Sequence, residues 1–355
     1  MAANQQALVV DNGSGWTKAG FAGDDTPRSI FPDVVGRPTH QGMDSTDAYV
    51  GDQAQVKRDL LSLAYPIQRG IVTNWDDMDK IYHHTFYNEL RAAPEEHPVL
   101  MTEVPLNPKA NREKMAQIVF ETFNAPAFFL SVQAVLSLYT TGNTTGVVLD
   151  SGYGVTAAVS IHGGYILPRS VQKINYAGMD LTQDLQRSII ASGQSLGTDD
   201  AIAAACDIKE RYCSVARTRA EVGTSSPAIT YKLPDGNTII NLSSELMSVP
   251  EALFQPSSAG TSGSQHADFR NDLYGNIVLA GDTTMISNFN ERLQNELSGL
   301  TPPSTPLKIT ASPDRKFSAW IGGSVMTSLS TFSSNWITKE EYDESGPRIV
   351  HRKCF

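Results

Sequence analysis

Apolar and polar positions along residues 7–23, ALVVDNGSGWTKAGFAG, predict a β-strand ending at Asp11, a glycine-rich turn and a second strand. Residues 146–164, GVVLDSGYGVTAAVSIHGG, repeat the plan: an apolar run, Asp150, Ser151, Gly152 and Gly154, then another apolar run. Over 111–124, NREKMAQIVFETFN, helical spacing puts Met115, Ile118, Val119 and Phe123 on one face, with Asn111 read as the N-cap. AFFLS at 127–131 predicts a buried strand, and VQAVLSLYTTG a helix stopped by Gly142. AITYKL and NTIINL flank Pro234-Asp235-Gly236 as a hairpin over 228–242, and Thr338-Lys339-Glu340-Glu341 reads as a capping box. QPSSAGTSGSQHADFR, 255–270, is small, polar and aperiodic, the composition of a surface loop or a disordered segment. Strand and helix signals alternate, as in an α/β protein.

The repeated hairpin predicts an internal duplication, with two halves facing each other across a cleft. Taken singly, either Asp-x-Gly-x-Gly stretch is most simply a tight hairpin, because such turns need residues that tolerate positive φ. Two copies, each with an aspartate closing an apolar strand, shift the reading toward an anion cradle. Gly13, Gly15, Gly152 and Gly154 would let backbone N–H groups turn toward a phosphate, and Lys18 would add a cation beside the first loop.

With 355 residues and 40% hydrophobic content, the chain has enough material for a large core and two domains. A net charge of −10 argues against a nucleic-acid footprint or an anionic membrane surface, and favours basic protein surfaces and divalent cations as partners. The start MAANQQ has no secretory pattern and no apolar run is long enough to span a bilayer, so a cytoplasmic location is expected. The three cysteines, Cys206, Cys213 and Cys354, have no metal-ligand spacing and fit a reducing compartment; Cys354 is penultimate, which does not suit a prenylation box.

Over nearly its whole length the sequence resembles actin: VVDNGSG, KAGFAGDD, FPDVVGRP, IVTNWDDMDKIYHHTFYNELR, PLNPKANREKM, QAVLSLY, DIKER, RKFSAWIGGS and EEYDESGPRIVHRKCF carry the match, and the closing residues resemble conventional actin. The resemblance implies a duplicated ribonuclease H-like two-domain α/β fold, shared by actin, sugar kinases and chaperone ATPases, around a central nucleotide cleft. It implies a first large subdomain (1–32, 66–140, 318–355) with a small insert (33–65). The second large subdomain (141–176, 257–317) would carry its own insert (177–256).

The cofactors implied are ATP with Mg²⁺ or Ca²⁺. By resemblance, Gly13, Ser14 and Gly15 would hold the β- and γ-phosphates, Lys18 would neutralise them, and Asp11 and Asp150 would hold the hydrated cation, with Gly152 and Gly154 forming the second loop. Gln133 matches the glutamine that orients the attacking water, and with Asp150 makes up the expected catalytic pair. Lys209 and Glu210 match residues flanking adenine and ribose, Lys316 a lysine on the adenine side, and Gly281 lies in a loop that packs on the nucleotide. Without the resemblance, Lys209 and Glu210 read as a solvated helix face and Gln133 as a polar residue opening a helix.

Several positions depart from the family. Tyr153 stands for an aspartate and Ala157 for a histidine that helps order the hydrolytic water; such positioning groups are worth ~10²-fold or more in rate, so slowed hydrolysis is expected. Asp282 replaces one of a pair of glycines, bringing a carboxylate to the nucleotide loop. The loop at 39–49, which inserts into the next subunit in filaments, is shorter and carries two acids, and 257–269 replaces a helix and an apolar plug that link filament strands. Arg69 stands where actins carry a methylated histidine, and MAANQQ lacks the acidic cluster offered to myosin.

The expected partners are the chain itself or conventional actin, together with actin-binding proteins at an apolar cleft matched by Tyr139, Thr140, Gly142, Thr144, Ile321, Val325, Met326, Leu329 and Phe332. Three readings follow: a cytoskeletal actin with slow ATP hydrolysis and weakened or heterotypic assembly; a non-polymerising interaction subunit with absent or structural nucleotide; and a small-molecule kinase of the same fold, for which no catalytic base is evident.

Overall fold

The computed structural model describes residues 5–39, 48–191, 198–222, 229–232, 238–255 and 270–354. Residues 40–47 of the shortened loop, most of the 255–270 stretch and the Pro234-Asp235-Gly236 turn lie outside the described residues. Two compact units emerge, one of 1–148, 158–171 and 317–355, the other of 149–157 and 172–316.

In the first unit, strands Leu8–Asn12, Val99–Glu103 and Ala127–Val132 are buried along nearly their whole length, as expected of parallel strands covered on both faces. They pair in parallel at the centre of a six-stranded sheet. Trp16–Phe21 and Ser29–Pro32 continue one edge antiparallel, while Ile337–Thr338 closes the other. The second sheet orders Tyr165–Ile166, Thr156–His162, Gly146–Ser151, Ile277–Ala280 and Ile309–Thr310. Its strand order matches Ser29–Pro32, Trp16–Phe21, Leu8–Asn12, Val99–Glu103 and Ala127–Val132 of the first sheet, so the repeat seen in the sequence is a repeat of topology.

Helix Gln133–Tyr139 packs on helix Ser318–Ser328, and glycine makes the approach possible. A Cβ at Gly322 would sit 1.9 Å from the Leu136 carbonyl oxygen, and one at Gly323 would sit 2.9 Å from Val9 Cγ1. The fully buried Trp320 donates its indole N–H to the Val9 carbonyl, 3.0 Å away, pinning the same helix to the central strand. The chain after Tyr139 turns off as expected, with Gly142 at φ +74° donating to the Tyr139 carbonyl. The capping box also forms: Thr338 Oγ1 accepts from the Glu341 amide and Glu341 accepts from the Thr338 amide.

One expectation is corrected. The helix begins at Lys109 behind Pro108, so Asn111 is not its cap; the Asn111 side chain instead donates to the Val72 carbonyl. Proline wins the N-terminal position because its missing N–H and fixed φ cost nothing there. The expected face is still buried, with Met115, Ile118, Val119 and Phe123 all in the core, although the backbone widens to a π-helical turn over Ile118–Thr122.

In the second unit, helix Gly178–Ala191 packs on Thr198–Tyr212 through Leu185, Ile189, Ala204, Ala205 and Ile208. Arg292, fully buried on helix Phe289–Leu300, is satisfied by both Glu251 oxygens at 2.6 Å, by Glu296 and by the Ala216 carbonyl. Four of the five N–H donors of this buried guanidinium are thereby used, two of them on a carboxylate that balances its charge.

Gly322→Ala is expected to destabilise the chain by overpacking, about 1–3 kcal/mol or more given that the clash is with backbone, seen as a lowered urea midpoint with unchanged slope.

Candidate functional site

The two repeated loops share a closing hydrogen bond. Gly13 donates its amide to the Trp16 carbonyl at 3.0 Å, and Gly152 donates to Val155 at 3.1 Å. The left-handed glycines among the described residues do not include Gly13, Gly15, Gly152 or Gly154. The tight-turn account, which needs positive φ, is therefore not what places glycine here. At Gly152 a Cβ would meet no atom within 4 Å, so the residue keeps open space above the loop that a side chain would fill.

In the first unit the loop stands over a buried carboxylate. Asp11, 4% exposed, accepts at Oδ1 from Thr102 Oγ1 at 2.6 Å and from Gln133 Nε2 at 2.8 Å, while Lys18 Nζ lies 3.8 Å from Oδ2. Strand register explains the last contact, since Asp11 is directly opposite Lys18. Gln133 is the first residue of its helix, immediately after strand Ala127–Val132, as expected. Ser14 Oγ accepts the Gly70 amide at 2.7 Å; Gly70 belongs to the turn between Ile67–Gln68 and Ile71–Val72, where Arg69 is also left-handed at φ +51°. Asp11, Gly13, Ser14, Gly15, Lys18 and Gln133 are thus brought together in one unit.

Beneath this loop lies a polar cluster that the sequence reading missed. Asn12 Nδ2 donates to Thr17 Oγ1 at 2.7 Å, and Thr17 Oγ1 donates to Asp33 Oδ1 at 2.6 Å. The Asp33 amide donates to the Gly15 carbonyl at 3.0 Å. Asp33 is fully buried, and its Oδ2, like the buried hydroxyl of Tyr82, has no hydrogen-bond partner among the described residues. Burial pushes the Asp33 carboxyl up to about 7; the Thr17 hydrogen bond and the Lys18 charge oppose this, and the Asp11 charge adds to it. Burial and the Asp33 charge likewise raise Tyr82 well above the ordinary phenol range. In FPDVVG the acid follows an apolar pair and proline, and its burial leaves no periodic signal in the sequence.

In the second unit the loop is held mainly through backbone atoms. The Gly152 carbonyl accepts from Thr283 Oγ1 at 2.7 Å and from the Gly178 amide at 3.1 Å, and the Tyr153 carbonyl accepts from the Met179 amide at 2.7 Å. Gly281, at φ +86°, is required: its Cβ would fall 2.3 Å from the Ser151 carbonyl oxygen and 2.5 Å from Asp150 Oδ1. Its amide donates to the Arg315 carbonyl. Tyr153 is half-buried, Gly154 and Ala157 are buried, and half-buried Asp282 opens the short 3₁₀ turn Asp282–Met285.

Lys209 is buried, donating to the Gly178 carbonyl at 3.1 Å and to Thr182 Oγ1 at 2.9 Å, so it braces the start of helix Gly178–Ala191 rather than lying on a solvated face. Glu210 is exposed and accepts from the Cys206 thiol, and Lys316 is exposed beside Arg315. The structure brings Asp150 and Gly281 together beside Gly152. Among the described residues no group of three or more His, Cys, Asp or Glu side chains could hold a metal directly. A single buried carboxylate at Asp11 fits a cation that keeps most of its water and does not fit a dehydrated ion.

Also within the first unit, Phe129, Val135, Tyr139, Thr144, Val325, Leu329 and their neighbours line a cavity of about 580 Å³. Val325 and Leu329 are exposed there, while Ile321 is half-buried against the core and does not line it.

Compared with protein-family models, residues 2–355 match the family described as Actin. The chain belongs to the actin family and has its two-domain α/β fold. Proteins of this family generally bind ATP and divalent cations. No helix among the described residues is long and apolar enough to cross a membrane.

Two outcomes follow from this geometry. The native Asp33 carboxyl holds its proton to about pH 7, whereas the unfolded chain releases it near the ordinary 3.8. Stability present below pH 4 is therefore lost as pH rises toward 7, by roughly 4 kcal/mol. Asp33→Asn keeps the acceptor for Thr17 and is expected to flatten the dependence of the urea midpoint on pH over that interval. Gly281→Ala is expected to cost about 1–3 kcal/mol or more, read as a drop in thermal midpoint, because both its backbone conformation and the Ser151 carbonyl resist a methyl group.

Proposed function

We propose that this chain is an ATP-binding actin-like cytoskeletal protein with slowed hydrolysis and weakened or heterotypic assembly. The observation that carries the reading is the pair of loops with the same closing hydrogen bond, each following a strand that holds an aspartate, Asp11 or Asp150. Gly13, Ser14 and Gly15 would take the phosphates with Lys18 beside them, Gly152 and Gly154 would supply the second cradle, and Asp11 and Asp150 would hold the waters of Mg²⁺ or Ca²⁺. A bound divalent cation would neutralise phosphate charge. Gln133, already fixed by its bond to Asp11, would orient the attacking water. Lys209 would contribute by bracing the second loop's neighbour helix, and Glu210 and Lys316 would approach the base and sugar from exposed positions.

Slow hydrolysis rests on Ala157, whose buried methyl offers no proton acceptor or donor, and on Tyr153 in a loop otherwise built of small residues. Weak binding rests on Asp282, next in sequence to the Thr283 that holds Gly152. One carboxylate about 4 Å from a phosphate charge costs on the order of 1–4 kcal/mol at effective dielectric constants of about 80 to 20, or roughly tenfold to several hundredfold in affinity.

The interaction-subunit reading would use the apolar cavity beside exposed Val325 and Leu329, which suits an amphipathic helix of an actin-binding protein. It shares that cavity with the first reading, and cytoplasmic, cytoskeletal location goes with both.

Titration of the purified chain with magnesium ATP in a calorimeter, beside a Tyr153→Asp/Asp282→Gly variant, decides between them. The ATPase reading expects measurable binding by the parent and roughly tenfold or greater tightening in the variant. Absence of binding in the parent with recovery in the variant would make the chain an interaction subunit.

A further inference from the structure

The buried cluster under the first loop has no role in the reading above, which uses the loop's upper side. Asp33 touches the loop twice: its amide holds the Gly15 carbonyl, and its Oδ1 holds Thr17, which in turn accepts from Asn12 at the end of the strand that carries Asp11. The carboxyl itself is fully buried, and Oδ2 has no donor among the described residues.

The charged and titratable groups acting on it come from three elements. Asp11 on strand Leu8–Asn12 disfavours its ionised form, Lys18 on strand Trp16–Phe21 favours it, and Tyr82 on helix Trp75–His83 feels its charge. Lys18 is the only cation among these groups, and it also lies beside Asp11. A polyphosphate seated on Gly13–Gly15 would place further negative charge within reach of the same lysine and the same sealed carboxylate.

We propose that Asp33 is a positioning residue of the phosphate loop that takes up one proton as a polyphosphate binds, so that nucleotide affinity falls as pH rises. This rests on the nucleotide reading given above. The step is a protonation alone: a solvent proton adds to the Asp33 carboxylate, on the oxygen that lacks a donor, while Oδ1 continues to accept from Thr17. The neutral carboxyl keeps both loop contacts and removes the like charge. Its ordinary function in the loop is geometric, and its proton sets the electrostatic cost of filling the loop.

The sign follows from linkage. With the free carboxyl near 7 and a higher value in the complex, binding takes up protons around neutrality. The apparent Kd for magnesium ATP is then expected to weaken roughly five- to tenfold between about pH 6 and pH 8.

The test is calorimetry of the full chain with magnesium ATP, under saturating magnesium, at several pH values and in buffers of different ionisation enthalpy. The parent is expected to take up about half a proton per ATP at neutral pH. Asp33→Asn, which keeps the Thr17 acceptor, is expected to abolish that uptake, remove the pH slope and retain the parent's low-pH affinity. The proton count on the parent needs no variant, so a poorly folding Asp33→Asn leaves the proposal testable. A parent that binds ATP with no proton uptake overturns the proposal, as does an Asp33→Asn chain with the parent's slope. Both outcomes leave the nucleotide reading standing. Failure of both chains to bind at any pH overturns the nucleotide reading and this proposal with it.

Discussion

Asp11 brings a carboxylate into the centre of the first sheet, where an unpaired charge would cost several kcal/mol. Its partners come from three different places in the chain: Lys18 from the antiparallel neighbour, Thr102 from the parallel one, and Gln133 from the helix that follows the next strand. Satisfying that one group therefore fixes the register of the central strands and the starting point of a helix at the same time. Gly322 and Trp320 then hold the helix layer at the distance this arrangement needs, the first by having no side chain and the second by a bond to the Val9 carbonyl. The loop above inherits its shape from this support.

The second sheet repeats the strand order, and the second loop repeats the turn but not the means of support. Where side chains surround the first loop, the carbonyl oxygens of Gly152 and Tyr153 hold the second, and the Lys209 ammonium bonds to the Gly178 carbonyl and Thr182. Backbone support of this kind tolerates a bulky side chain such as Tyr153 without loss of the turn. It tolerates little at Gly281, whose Cβ position is taken by Ser151 and Asp150.

Much of this was legible in the residues. Alternating apolar runs ending in Asp11 and Asp150, the helix face of Met115, Ile118, Val119 and Phe123, and the capping box at Thr338 all have local signatures, and the structure contains each of them. Asn111 misled because a good capping residue three positions inside a helix looks the same as one at its start, and Pro108 decided the matter. Gly13, Gly15, Gly152 and Gly154 are not left-handed, and at Gly152 the missing side chain keeps open space instead. Thr17, Thr102, Gly70, Thr283 and Asp33 were out of reach, since each matters only through a partner distant in sequence.

Two acidic residues near the loops, Asp33 and Asp282, illustrate why position decides what a charge does. Asp282 is half-buried at the head of a short turn, where water can reach its carboxylate and screen it, so any opposition to phosphate there is partial. Asp33 is fully buried, with a single side-chain donor among the described residues and one cation shared with Asp11. A group so placed escapes the cost of its charge only by giving the charge up. The same carboxyl can thus serve as a fixed brace for Gly15 and Thr17 in either protonation state, while only one of those states leaves the loop electrically open to an anion.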